Sequence, residues 1–141
     1  RQRQWRIRAR PVPAALAAVD AAAEAAQRAG VAPERIVIDP TPDFGKNTYH
    51  SLRLLRELTR FRDTGYPVLL AISRKDFIGE TIGAAGPADR LHGTIAATAL
   101  AVERGAAIIR AHDVAATADA IAVTLAITGE AQPRHTVRGL R

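Results

Sequence analysis

Three short apolar runs alternate along the chain with longer segments whose apolar residues recur at helical spacing, and each run ends in charge. The clearest is Tyr66-Pro67-Val68-Leu69-Leu70-Ala71-Ile72, followed at once by Ser73-Arg74-Lys75-Asp76-Phe77. An unbroken aliphatic run of this kind reads as a strand buried on both faces, as in parallel sheets. Two more strands are expected over residues 34–39, ending Ile36-Val37-Ile38-Asp39, and over 106–111, ending Ile109-Arg110-Ala111 just before His112. Helices are expected over 14–29, an Ala-rich run closed by Gly30, over 94–104 before Gly105, and over 115–128 before Gly129. Another begins near Tyr49, where Leu52, Leu55, Leu58 and Phe61 recur every third position until Gly65 stops the pattern. Pro40 and Pro42 make 40–47 a stiff loop, Thr48 is the expected N-cap, and 74–93 reads as a long loop.

Helices alternating with strands imply parallel strands joined by right-handed crossovers. The strand ends Asp39, Ser73 and His112 are 34 and 39 residues apart, against about 31 per unit in a (β/α)₈ barrel. The expected fold is therefore α/β, either the C-terminal part of a (β/α)8 TIM barrel, with three parallel strands and crossover helices, or a small open sheet. Residues 1–13 form an Arg- and Pro-rich lead-in, 14–129 the domain, and 130–141 a basic tail.

Composition narrows the class. No apolar run approaches the roughly 20 residues that cross a bilayer, so no membrane partner is expected and a cytoplasmic location is. The chain contains no cysteine and only 4 histidines, which removes disulfides and leaves no zinc-ligand spacing. The net charge of +6 suggests a nucleic-acid partner, but its distribution argues against one. Five arginines sit within the first ten residues and three within the last eight, and residues 11–133 carry 12 basic against 14 acidic side chains. The aromatic residues are scattered and offer no stacking platform.

Candidate chemistry lies at the strand ends, where α/β proteins place their sites. Asp39 either pairs bidentately with adjacent N–H donors of a ligand or caps its own loop. Arg110 and His112 leave their strand on one face, a pair suited to an anion such as phosphate or to a structural salt bridge. Lys46 and Lys75 are the only lysines beside 18 arginines, and both stand in loops at strand ends, where a compact ammonium suggests selection for it.

The residues Ile38-Asp39-Pro40 with Phe44-Gly45-Lys46, then Ser73-Arg74-Lys75, Arg90-Leu91-His92-Gly93-Thr94 and Arg110-Ala111-His112-Asp113-Val114 resemble the C-terminal half of dihydropteroate synthases. The resemblance runs from about Gly30 to Thr128, in order and spacing. It implies a TIM barrel, a homodimer when complete, that condenses 6-hydroxymethyl-7,8-dihydropterin pyrophosphate with p-aminobenzoate. Mg²⁺ assists, with its ligands in the half of the barrel that precedes this chain. By the same resemblance Asp39 binds the amino-pyrimidine edge of the pterin and Lys75 contacts its ring, with Lys46, Ser73 and Arg74 beside them. Arg110 and His112 hold the pyrophosphate leaving group, Phe44 lines the p-aminobenzoate pocket, and Asp76 stands near the carboxylate of that substrate.

Two positions depart from the family pattern. A Gly-Ile-Gly-like stretch is replaced by Thr41-Pro42-Asp43, and the serine that usually follows Ser-Arg-Lys is replaced by Asp76. Two carboxylates about 4 Å apart repel by roughly 4 kcal/mol at an effective dielectric near 20, so Asp76 is expected either to oppose p-aminobenzoate or to turn away, capping the next helix or pairing with Arg74. The run Asp39-Pro40-Thr41-Pro42-Asp43-Phe44-Gly45-Lys46-Asn47 is similar to one found in actinobacterial paralogues that are not the working synthase. Three functions are thus compatible with the sequence: a synthase, a paralogue that keeps pterin or pyrophosphate binding, and a related pterin-binding methyltransferase.

Overall fold

The computed structural model describes residues 11–139, so residues 1–10 of the lead-in and 140–141 of the tail lie outside the described residues. Helix α1 (Pro11–Arg28) starts ahead of the expected position, with Pro11 and Pro13 in its first turn. A missing N–H breaks no intrahelical bond there.

The run expected as a strand over 34–39 is instead a 3₁₀ turn, Pro33–Arg35, followed by one parallel bridge between Ile38 and Val68. Ile38 donates its N–H to the Pro67 carbonyl at 3.0 Å and accepts from the Leu69 N–H at 2.8 Å. In a parallel ladder the next rung on either side needs the N–H of Pro67 or of Pro40, and proline has none. Among the described residues the three-strand expectation is therefore corrected to two strands and a bridge: β1 (Val68–Leu70) and β2 (Ala106–Ile109) pair in parallel, with Leu70 opposite Ile109. The Arg110 N–H extends that pairing by donating to the Leu70 carbonyl at 2.9 Å.

The helix expected from residue 49 to near Gly65 is broken into α2 (Thr48–Arg56) and α3 (Thr59–Arg62). Apolar residues spaced by three drift off one face of a 3.6-residue helix. A tighter turn corrects the drift, made by i to i+3 bonds from Leu58 to Leu55 and from Phe61 to Leu58, and both Leu58 and Phe61 end fully buried. The cap is Asn47 rather than Thr48: its side chain accepts from the His50 N–H at 2.9 Å, and His50 Nδ1 accepts from the Asn47 N–H.

The expected loop over 74–93 contains α4 (Asp76–Ile82) and a 3₁₀ turn, Pro87–Arg90, and α5 runs Leu91–Glu103, three residues ahead of its expected start. The last helix is α6 (Val114–Thr128). The core gathers Val12 from α1, Leu54 and Leu55 from α2, Val68 and Leu70 from β1, Phe77 and Ile78 from α4, and Ile72 beyond the strand end. Helix α6 buries Thr117 and Thr124 and leaves Val123 and Ile127 exposed, while Val37 and Ile108 stand exposed on the sheet segments. Apolar side chains thus stand uncovered on both the sheet segments and the helices.

Candidate functional site

The loop after Ile38 is tied down by its own polar groups. Asp39 Oδ1 accepts from the Thr41 N–H at 2.7 Å, the short-range turn that an Asp before a proline favours. The ammonium of Lys46 donates to the Thr41 carbonyl at 2.9 Å, the Thr41 hydroxyl at 3.1 Å and the Phe44 carbonyl at 3.1 Å, which uses all three of its N–H donors. Asp43 exchanges hydrogen bonds with Ser51, its N–H donating to Oγ at 3.0 Å and its Oδ1 accepting from that hydroxyl at 3.0 Å. Its Oδ2 accepts from the Phe77 N–H at 3.4 Å, which joins the loop to the start of α4.

Lys75 is the residue that joins the strand ends. It sits between β1 and α4, donates to the Pro42 carbonyl, and places its ammonium 4.7 Å from the centre of the exposed Phe44 ring. Burial lowers its pKa, opposed by the carboxylates of Asp43 and Asp39 and reinforced by Arg110. Burial also lowers the Lys46 pKa, with Asp39 raising it and Lys75 lowering it further. These mutual influences join Asp39, Asp43, Lys46, Lys75 and Arg110 in one electrostatic neighbourhood.

At the end of β2, His112 is anchored twice to the buried Ser73: its N–H donates to Oγ at 3.1 Å and its Nδ1 lies 3.0 Å from the same oxygen. Among the described residues neither His112 Nε2 nor the guanidinium of the exposed Arg110 takes a hydrogen-bond partner. The Arg110 guanidinium therefore offers free N–H donors at the carboxyl end of the sheet, and His112 Nε2 stands beside it without a partner.

Arg74 and Asp76 turn away from Lys75. Arg74, with φ of 56°, makes a bidentate pair with Asp113 at the entry to α6, at 2.9 and 2.6 Å. That pair raises the Arg74 pKa and holds the Asp113 carboxyl below its ordinary range. Asp76 starts α4, its side chain 81% exposed, and accepts from Arg90 Nη1 at 2.7 Å. The same Arg90 nitrogen donates to the Arg74 carbonyl at 2.9 Å, and Gly79 makes room for it, since a Cβ there would lie 2.4 Å from Arg90 Nε. Among the described residues no three His, Asp or Glu side chains come together as a metal site, and no helix is long and apolar enough to cross a membrane.

Residues 3–112 match the family described as "Pterin binding enzyme". The chain belongs to the pterin-binding enzyme family. It is 51% identical over 129 residues to the inactive dihydropteroate synthase 2 of Mycobacterium tuberculosis, covering 92% of this chain and 40% of that protein. It is also 51% identical over 94 residues to the dihydropteroate synthase of Neisseria meningitidis serogroup C, covering 66% of this chain and 33% of that protein. Among solved structures, the dihydropteroate synthase of Xanthomonas albilineans in complex with 7,8-dihydropteroate is 42% identical with a TM-score of 0.81, over 83% of this chain and 45% of that one. The same enzyme with 4-aminobenzoic acid superimposes equally well. The chain thus spans less than half the length of these relatives.

Membership in the pterin-binding enzymes gives meaning to the strained loop. Thr41 and Asp43 adopt φ of 49° and 70°, the left-handed region, and they are the outer two positions of the triplet where the resemblance places Gly-Ile-Gly. A residue with a Cβ costs about 1–2 kcal/mol there. The Asp43 bonds to Ser51 and Phe77 and the Lys46 bonds to Thr41 offset that cost. In the sequence Asp43 stands out only as a departure from the family pattern, and nothing there marks Arg90 as the partner of Asp76 or Asp113 as the partner of Arg74. Asp113 is marked only by its adjacency to His112, and the partners of Arg90 lie 14 and 16 residues away.

Proposed function

We propose that the chain is the C-terminal portion of a dihydropteroate synthase-type protein that binds 6-hydroxymethyl-7,8-dihydropterin pyrophosphate and whose p-aminobenzoate side is altered. Support for the first half comes from the Asp39 carboxylate, whose Oδ1 already accepts from the Thr41 N–H, the Lys75 ammonium, the unpartnered Arg110 guanidinium and His112 Nε2, gathered at the strand ends. The carboxylate would take the amino-pyrimidine edge of the pterin, Lys75 and Phe44 would flank the ring and the amine pocket, and the two donors would hold the pyrophosphate. The single observation that carries the second half is Asp76, which follows Lys75 in the sequence at the position where the resemblance expects a hydroxyl and stands exposed in a pair with Arg90. A hydroxyl donates to a carboxylate substrate; an ionised Asp only accepts.

A second reading, the working synthase that condenses the two substrates, is favoured by the identity to the Neisseria meningitidis enzyme. In that case Arg110 and His112 would stabilise the charge that builds on the departing pyrophosphate. Mg²⁺ is not assigned to any described residue, among which no three His, Asp or Glu side chains come together. We assign its ligands, the homodimer interface and a cytoplasmic setting to the complete protein.

The test uses that complete protein. Titration calorimetry with the pterin pyrophosphate is expected to show binding, and assays of p-aminobenzoate consumption are expected to show turnover far below that of a homologous synthase. Comparable turnover favours the second reading, and absence of pterin pyrophosphate binding refutes both.

A further inference from the structure

Ser73 Oγ accepts the backbone N–H of His112 at 3.1 Å and lies 3.0 Å from Nδ1 of the same residue. A backbone N–H can only donate, so the hydroxyl oxygen is an acceptor in the first contact. Its one proton then has a single described partner, the ring nitrogen. If Nδ1 instead carried the hydrogen, the oxygen would accept twice and its own proton would be left without a partner at a residue only 8% exposed. Buried polar groups without partners are disfavoured, which selects the arrangement in which Ser73 donates to Nδ1.

The geometry points to Ser73 as the positioning residue that fixes His112 in the Nε2–H tautomer, so that a neutral ring presents an N–H donor beside the Arg110 guanidinium to an anionic oxygen. The inference deepens the anion-site reading above and rests on it. Ser73 itself touches no ligand in this account. Its hydroxyl is spent on the histidine backbone and ring, and it lies at the end of the β1 segment, whose position is fixed by the buried Leu70 and Ile72. Because Ser73 and His112 stand 39 residues apart on neighbouring strand ends, the contact also registers one strand end against the other. A second-sphere group that fixes the tautomer of a functional imidazole acts in this way in many sites.

The test reads the ring directly, by ¹⁵N chemical shifts of the His112 imidazole in the complete protein without ligand. The expected spectrum in mildly alkaline buffer has a protonated Nε2 and an unprotonated, hydrogen-bond-accepting Nδ1. Loss of one hydrogen bond is worth on the order of a tenfold change in the tautomer ratio. Ser73→Ala should therefore move the two nitrogen shifts toward each other, and Ser73→Thr, which keeps the hydroxyl, should restore them. A wild-type spectrum with Nδ1 protonated overturns the inference even if neither variant folds, and so does a Ser73→Ala spectrum identical to wild type. Pyrophosphate is then added to the wild type. The tautomer is read before any ligand is present, so a failure to respond to pyrophosphate counts against the anion-site reading and not against the role of Ser73.

Discussion

Asp76→Ser in the complete protein tests how this site treats p-aminobenzoate. In a half-buried setting the Asp76 charge would repel a substrate carboxylate about 4 Å away by roughly 4 kcal/mol. The structure reduces that figure: the side chain is 81% exposed and paired with Arg90 at 2.7 Å. Near the water limit, the same separation gives about 1 kcal/mol, or roughly fivefold in kcat/KM for p-aminobenzoate. The substitution does a second thing. It releases Arg90, whose side chain is 13% exposed and remains held by the Arg74 carbonyl. A guanidinium freed in this way can donate to the incoming carboxylate, a charge-assisted bond worth about 1.5–3 kcal/mol. Expected gains therefore run from about fivefold, if only repulsion is removed, to between roughly seventyfold and several hundredfold if Arg90 is recruited. Steady-state kinetics with p-aminobenzoate varied at saturating pterin pyrophosphate measures the gain, and calorimetry should show pterin affinity little changed because Asp39 and Lys75 are untouched. Vigorous p-aminobenzoate turnover with Asp76 in place, or no gain in Asp76→Ser, refutes the reasoning.

Three further expectations follow from the same geometry. Arg110→Ala should weaken pyrophosphate binding to the complete protein by about 1.5–3 kcal/mol, the value of a hydrogen bond to a charged group, and calorimetry showing unchanged affinity would remove Arg110 from the anion site. The isolated 141-residue chain, with Val37, Ile108, Val123 and Ile127 exposed, should self-associate in sedimentation velocity, and a monodisperse monomer with a cooperative melt would contradict it. The pairing of Arg74 with Asp113 lowers the carboxyl pKa in the folded state, so its contribution is present above the ordinary carboxylate range and is lost as pH falls through the lowered value. Denaturant unfolding from about pH 7 down to 3 should show a shallower acid-side loss in Asp113→Asn than in the parent protein, and parallel curves would dismiss the pair as a contributor.

The sequence alone determined the alternation of elements and the places where chemistry could sit. Local signals suffice for these: aliphatic runs mark strands in a parallel sheet, glycines close helices, and charge at a strand's end stands out against the apolar run before it. The motifs around Asp39, Ser73-Arg74-Lys75 and Arg110-Ala111-His112 were legible for that reason, and the family with them. Tertiary structure decided what depends on contacts distant in sequence. The residues 36–39 became a bridge because two prolines, 27 positions apart, fall on the two rungs that flank Ile38. Asp76 went to Arg90, Arg74 to Asp113, and Ser73 to His112, each choice settled by which side chain the fold brought within hydrogen-bond reach. Lys46 and Lys75 looked alike in the sequence, and the fold separated them: one spends every donor on its own loop, while the other reaches from the end of β1 to the Pro42 carbonyl in the neighbouring loop. Hydrogen-bond partners are fixed by distances of a few tenths of an ångström, and no periodicity along a chain carries that information.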